Sequence, residues 1–305
     1  MATGDGQVTA GDEAVLRSEA LTATVAAKGA ELVRLQDAQG RDLLWSGDEE
    51  VWGWHAPLLF PIVGRVRNDQ VKVAGRSFPM KQHGIARKSQ FRSIEADAGH
   101  CLFRLSPDAS TREAYPFEFR LDVLYELKGN ELAITASVTN TGSGDLPASF
   151  GFHPAFVWPL PEGGAREDHV VRFDADEPAG IRQLNDGLLK PGTVPNPVRK
   201  RRLALTDELF SKDALVFDQP RSRRLVYGGR GGPQISVEFP DMPHLGIWSK
   251  PGAGFVCLEP WHGHASPEDF DGELRDKPGI VNVPEDGTAR FAVRISVLDH
   301  QEDRV

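Results

Sequence analysis

From Phe117 to Val138 the chain keeps a period of two. Phe117, Phe119, Leu121, Val123, Tyr125 and Leu127 alternate with Glu118, Arg120, Asp122 and Glu126. After Gly129-Asn130, Leu132, Ile134, Ala136 and Val138 alternate with Thr135, Ser137 and Thr139. Successive side chains of an extended strand point to opposite faces, so this pattern buries one face and wets the other. Two such runs around a short Gly-Asn turn predict an antiparallel hairpin. The alternation recurs at Ile235-Val237-Phe239 and at Phe291-Val293-Ile295-Val297. Helix signals are short. Ser266-Pro267-Glu268-Asp269 predicts a helix of about two turns, and Ser110 to Tyr115 a single turn. No segment alternates strand with helix as a βαβ unit requires, which disfavours a Rossmann fold or a TIM barrel. No self-similarity marks a propeller or solenoid. The reading is all-β, a large antiparallel sandwich, and 31 glycines with 22 prolines supply the turns that many short strands need.

Residues 1–12 are small and polar and read as a loose tail, 13–299 as one sandwich domain, and 300–305 as a polar C-terminal tail. The Pro- and Gly-dense stretch 159–200 reads as long loops over that sandwich, not as a linker between two domains. Cys101 and Cys257 are 156 positions apart with no ligand spacing, and read as buried fillers. The net charge of −9 argues against a nucleic-acid partner. The basic runs Arg199-Lys200-Arg201-Arg202 and Arg221 with Arg223-Arg224 therefore read as solvated turns flanking strands. No stretch of 18 apolar residues and no apolar leader is seen, so no membrane partner and a cytoplasmic location are expected, with the protein a monomer or homodimer.

Chemistry concentrates in a few places. His83 lies in Gln82-His83-Gly84, where a glycine after the histidine permits close approach of a ligand to the backbone. His153 lies in Phe150-Gly151-Phe152-His153-Pro154-Ala155-Phe156, a polar group in an apolar frame where a satisfied core histidine is the usual occupant. Glu259 ends the apolar run Phe255-Val256-Cys257-Leu258 and is followed by Pro260-Trp261. It either points to solvent at the strand end or is buried, and burial would raise its pKa toward the range of a general base. Trp261 beside it is the kind of aromatic surface on which a sugar's CH groups stack. Arg65 and Arg67 occupy alternate positions and are expected on one face, where guanidinium groups suit hydroxyl pairs or an anion. His262 and His264 have the spacing of two metal ligands on a strand, but no third ligand is identifiable and no metal is assigned.

In order along the chain, Leu59-Phe60-Pro61-Ile62-Val63-Gly64-Arg65-Val66-Arg67-Asn68, Gln82-His83-Gly84-Ile85-Ala86-Arg87, Phe150-Gly151-Phe152-His153-Pro154-Ala155-Phe156, Asp213-Ala214-Leu215-Val216-Phe217 and Leu258-Glu259-Pro260-Trp261 resemble the motifs of the aldose 1-epimerase (galactose mutarotase) family, most closely its LacX-like branch. The resemblance implies a β-sandwich of the galactose mutarotase type that interconverts the anomers of a free aldose without a cofactor. It implies Glu259 as the base that takes the anomeric proton, His153 as the acid that protonates the ring oxygen, and His83 as a second histidine near that oxygen. Arg67 and Asp213 resemble positions that grip sugar hydroxyls. The histidine motif departs from the Asn-His-Ser/Thr-Tyr-Phe-Asn form of the galactose mutarotases proper, which leaves the sugar open. Arg65, Arg67 and Arg87 allow a phosphorylated or sulfonated hexose. A rival reading is a catalytically idle sugar-binding sandwich, to be told apart by whether Glu259 and His153 face each other across a sugar-sized gap.

Overall fold

A computed structural model describes residues 13–299, and the tails expected at 1–12 and 300–305 lie outside the described residues. The hairpin read from the two-residue period is present. Phe119–Lys128 pairs antiparallel with Glu131–Asn140, with Lys128 opposite Glu131. Gly129 takes φ 56°, the left-handed conformation that a two-residue hairpin turn demands. Phe117 falls short of the strand, its N–H turned to the Tyr115 carbonyl.

This hairpin sits inside a nine-stranded antiparallel sheet. Its order is Arg202–Ala204, Val170–Phe173, Arg224–Gly228, Gln234–Glu238, Thr288–Leu298, Glu131–Asn140, Phe119–Lys128, His100–Leu105 and Arg92–Ala96. A three-stranded sheet is formed by Glu13–Arg17, Leu21–Ala26 and Glu31–Asp37. A six-stranded sheet runs Leu215–Phe217, His244–Trp248, Phe255–His262, Phe150–Phe152 and Leu58–Leu59, and Ala155–Val157 also pairs with Phe255–His262. The six- and nine-stranded sheets meet face to face: Phe150 of one stacks on Phe291 of the other, with ring centroids 5.3 Å apart and planes 10° apart. Between them Leu121, Val123, Tyr125, Leu132, Ala136, Val138, Val256 and Leu258 are fully buried in one apolar cluster. Burial of each large apolar side chain contributes about 1.5–3 kcal/mol, which fixes the register of the alternating strands.

Two expectations are corrected. Ser266 to Asp269 is a turn, not a helix. The Ser266 N–H donates to the Arg65 carbonyl and its own carbonyl accepts from the Leu189 N–H, so the backbone groups a helix would use are committed elsewhere. The stretch 159–200 is not all loop either, since Val170–Phe173 enters the nine-stranded sheet between Arg202–Ala204 and Arg224–Gly228. The single turn expected near Ser110 is the helix Ala109–Ala114, capped by the Asp108 carboxylate, which accepts from the Thr111 N–H. Both cysteines are buried and unpaired.

Candidate active site

Strand Phe255–His262 is buried on both faces, and its alternation separates two environments. Val256 and Leu258 point into the main core, while Phe255, Cys257, Glu259 and Trp261 share the opposite face. On the neighbouring segment, Phe150 to Val157, the ladder is interrupted at His153-Pro154, because Pro154 has no N–H to donate. The register on both sides of the interruption is the same, Gly151 opposite Trp261 and Ala155 opposite Cys257, which puts His153 opposite Glu259. Cross-strand neighbours lie within side-chain reach. His153 Nε2 is 3.0 Å from Glu259 Oε2, and the two residues are only 6% and 1% exposed.

Burial dominates the electrostatics of this pair. It pushes the Glu259 carboxyl well above the usual carboxylate range, with Asp213 adding to the push. It brings the His153 imidazole down to about 3. Both shifts favour a carboxylic acid beside a neutral imidazole, and at 3.0 Å a proton has a direct path from one group to the other.

His83 completes the group. Its ring lies edge-on to His153, centroids 5.6 Å apart. The Gly64 N–H donates to His83 Nδ1 at 3.2 Å, and burial holds the imidazole well below its ordinary pKa. A neutral ring that accepts at Nδ1 carries its proton on Nε2, which makes His83 a donor. The glycine after it serves packing: a Cβ on Gly84 would fall 2.2 Å from the Phe60 carbonyl oxygen, so ligand approach is not what requires it.

These groups line a cleft of about 350 Å³, within the range of small-molecule sites. Its walls include Trp52, Trp248, Arg87, Asp213 and Trp261. Sequence reading missed Trp52 and Trp248. Trp52 stacks on His153 with centroids 5.2 Å apart and planes 26° apart, and Trp248 meets it edge-on at 5.6 Å. The available signal was the density of tryptophan in Val51-Trp52-Gly53-Trp54. Trp261 is only 6% exposed and its ring lies over Gly246, where a Cβ would come within 2.3 Å of it. His153 Nδ1 and Arg87 Nε are buried without a hydrogen-bond partner among the described residues, while the Trp261 indole hydrogen-bonds to the Glu259 carboxyl. Buried polar atoms are ordinarily paired, and a polyhydroxylated ligand would supply partners.

The arginines separate. Arg87 stays at the cleft, its guanidinium 5.0 Å from the Trp54 ring, donating to the Gln82 carbonyl. Arg65 does not line the cleft. It lies behind Gly187 and binds Asp69 at 2.9 Å and Asp186 at 2.7 Å. Arg67 is exposed and lines a different cavity, beside Lys277. The expected shared face fails because Arg67–Asp69 is a 3-10 turn with Asn68 at φ 56°, so the period of two stops at Val66. Asp213 is exposed at φ 79° on the rim, its carboxylate accepting from the Ala214 N–H. His262 and His264 each meet a third imidazole. Their partner is His244, with centroids 6.4 and 5.0 Å away, and Lys277 donates to the His264 carbonyl. The structure therefore brings together His83, Arg87, His153, Asp213, Glu259 and Trp261, and leaves Arg65 and Arg67 outside.

The sequence model of one family, described as aldose 1-epimerase, matches residues 12–279. The chain belongs to the aldose 1-epimerase family. It is 32% identical over 295 residues to the plasmid and chromosomal LacX proteins of Lactococcus lactis subsp. lactis, covering 93% of this chain and 99% of theirs. Among solved structures it is similar to a galactose mutarotase related enzyme of Lactobacillus acidophilus, with a TM-score of 0.88, 28% identity and coverage of 95% and 98% of the two chains. A galactose mutarotase-like protein of Lactobacillus casei superposes with a TM-score of 0.87 at 26% identity, over 94% of this chain and 100% of that one. The sandwich is thus the galactose mutarotase-like fold. Among the described residues, no helix is long and apolar enough to cross a membrane.

Proposed function

We propose that the protein is an aldose 1-epimerase acting on a neutral free sugar, with Glu259 and His153 as its proton-transfer pair. The observation that carries this is their direct 3.0 Å contact at the floor of a sugar-sized cleft. A gap between them was the expected arrangement. Contact suits the chemistry better, since the two oxygens that exchange protons in mutarotation, O1 and the ring oxygen O5, are bonded to the same carbon.

The reaction follows from one shared proton. With that proton on His153, Glu259 is a carboxylate that takes the proton of the O1 hydroxyl, while His153 gives its proton to O5. The C1–O5 bond breaks, O1 becomes the aldehyde oxygen, and Glu259 is left protonated beside a neutral His153. Rotation about C1–C2 presents the other face of C1. O5 then attacks C1, its proton passing to His153 while Glu259 protonates O1, which restores the starting pair. His83 Nε2–H is oriented to donate to an oxygen on which charge develops. Two separated pKa values in one site are what such a reversal of roles needs.

Charge favours a neutral sugar. Of the three arginines that suggested an anionic hexose, Arg65 is engaged by two carboxylates and Arg67 lies in another cavity. Arg87 remains, with the Asp213 carboxylate in the same cleft and a Glu259–His153 pair of no net charge. Polarimetry on a panel of aldoses and their 6-phosphates tests this. Faster relaxation of at least one neutral aldose, with weaker or no effect on the phosphates, is expected. Binding without turnover of any sugar would leave a sugar-binding protein.

A further inference from the structure

We propose that His153, Cys257 and Glu259 form a binding site for one borderline-soft divalent cation, Zn²⁺ or Cd²⁺, whose occupation blocks the cleft. Cys257 and Glu259 share a face two residues apart on one strand, and the ladder sets His153 opposite Glu259. Their ligand atoms all lie within 4.8 Å of one another, and the three residues are at most 6% exposed. Zinc bonds of this type place ligands about 3.3–3.8 Å apart, so shifts of about 1 Å suffice. One nitrogen, one sulfur and one carboxylate oxygen suit zinc or cadmium and not the oxygen-seeking Mg²⁺ or Ca²⁺. Three protein ligands leave a fourth position, and the cleft that His153 and Glu259 line provides it. On binding, the thiol proton and the proton shared by His153 and Glu259 leave to solvent and a sulfur–metal bond forms, without oxidation or reduction.

The ion takes His153 and Glu259, the pair that the proposed proton transfer uses, so inhibition rests on that reading, whereas binding does not. No other grouping of this kind occurs among the described residues. The full chain is titrated with Cd²⁺, following the ultraviolet thiolate-to-metal charge-transfer band, and with Zn²⁺ by calorimetry. One equivalent and a band are expected, retained in Cys101→Ala and lost in Cys257→Ala and Cys257→Ser. Zn²⁺ affinity falls about tenfold or more in Cys257→Ala and Glu259→Gln, a scale that even outer partners of metal ligands reach. Cys257→Ala keeps its sugar turnover and loses its sensitivity to Zn²⁺. A band that survives in both Cys257 variants, or affinity unchanged in Cys257→Ala and Glu259→Gln, overturns the site. An EDTA-treated enzyme that is inactive until Zn²⁺ is added overturns the inhibitory role. If no sugar is turned over, the band and the heats still decide the binding.

Discussion

His83 is a neutral donor because two local features agree: the Gly64 N–H occupies Nδ1, and burial keeps a second proton off the ring. In the proposed reaction His83→Phe removes that donor and lowers kcat by about 100-fold, the usual scale for one donor at a developing oxyanion. His83→Gln, which keeps an N–H, recovers part of it, and steady-state polarimetry reads both. His153 and Glu259 were legible because each stands in a local frame that is unusual for its type, a polar group between aromatics and a carboxylate ending an apolar strand, whereas His83 was marked by the glycine after it and by the motif around it. The tryptophans were not legible in the same way. Trp261 adjoins Glu259 in sequence, yet its ring is fixed over Gly246, whereas Trp52 comes from a loop about 100 positions before His153 and still stacks on it. Arg65 and Arg67 failed for a backbone reason, the 3-10 turn that ends their alternation.

The loop that carries Trp52 is tied down from three sides. The Glu31 carboxylate accepts from the N–H groups of His55 at 2.7 Å and Ala56 at 3.0 Å, the Trp45 indole donates to the Trp52 carbonyl, and Lys250 donates to the Val51 carbonyl. Glu31→Ala leaves two N–H groups unpaired, one of them buried, and costs about 1–3 kcal/mol of stability, read by denaturant unfolding, with a rise in KM as Trp52 loses its position. Gly84→Ala is a second test of an element. With φ 73° and the Phe60 carbonyl in the way, it destabilises by more than about 1 kcal/mol. The long hairpin strands were legible from alternation over ten residues. Leu58–Leu59 and Phe150–Phe152 were not, since strands of two or three residues carry no period and owe their place to their neighbours in the six-stranded sheet.

At the scale of the molecule, a net charge of −9 and the Asp213 carboxylate at the cleft fit the proposed neutral ligand. In the proposed reaction the pair works with one proton. A second proton, taken up as pH falls toward about 3, removes the base, and loss of the shared proton above the raised Glu259 pKa removes the acid. The pH profile of kcat expected of the proposed reaction is therefore bell-shaped, with its acid limb toward about 3 and its alkaline limb at the raised Glu259 pKa. Stability follows a different sign. His83 and His153 titrate below their ordinary 6.5 in the folded chain, so the unfolded chain binds protons first. Their contribution is fully present above pH 6.5 and is lost as pH falls from there toward about 3, which calorimetry detects as a falling Tm. The central claim concerns Glu259 and His153, and exchange NMR tests it most directly. The α-to-β exchange rate of a responsive aldose is measured with the native protein and with Glu259→Gln at matched Tm. A rate enhancement that drops by about 100-fold or more in the variant is the predicted result. An enhancement that survives the substitution contradicts the account.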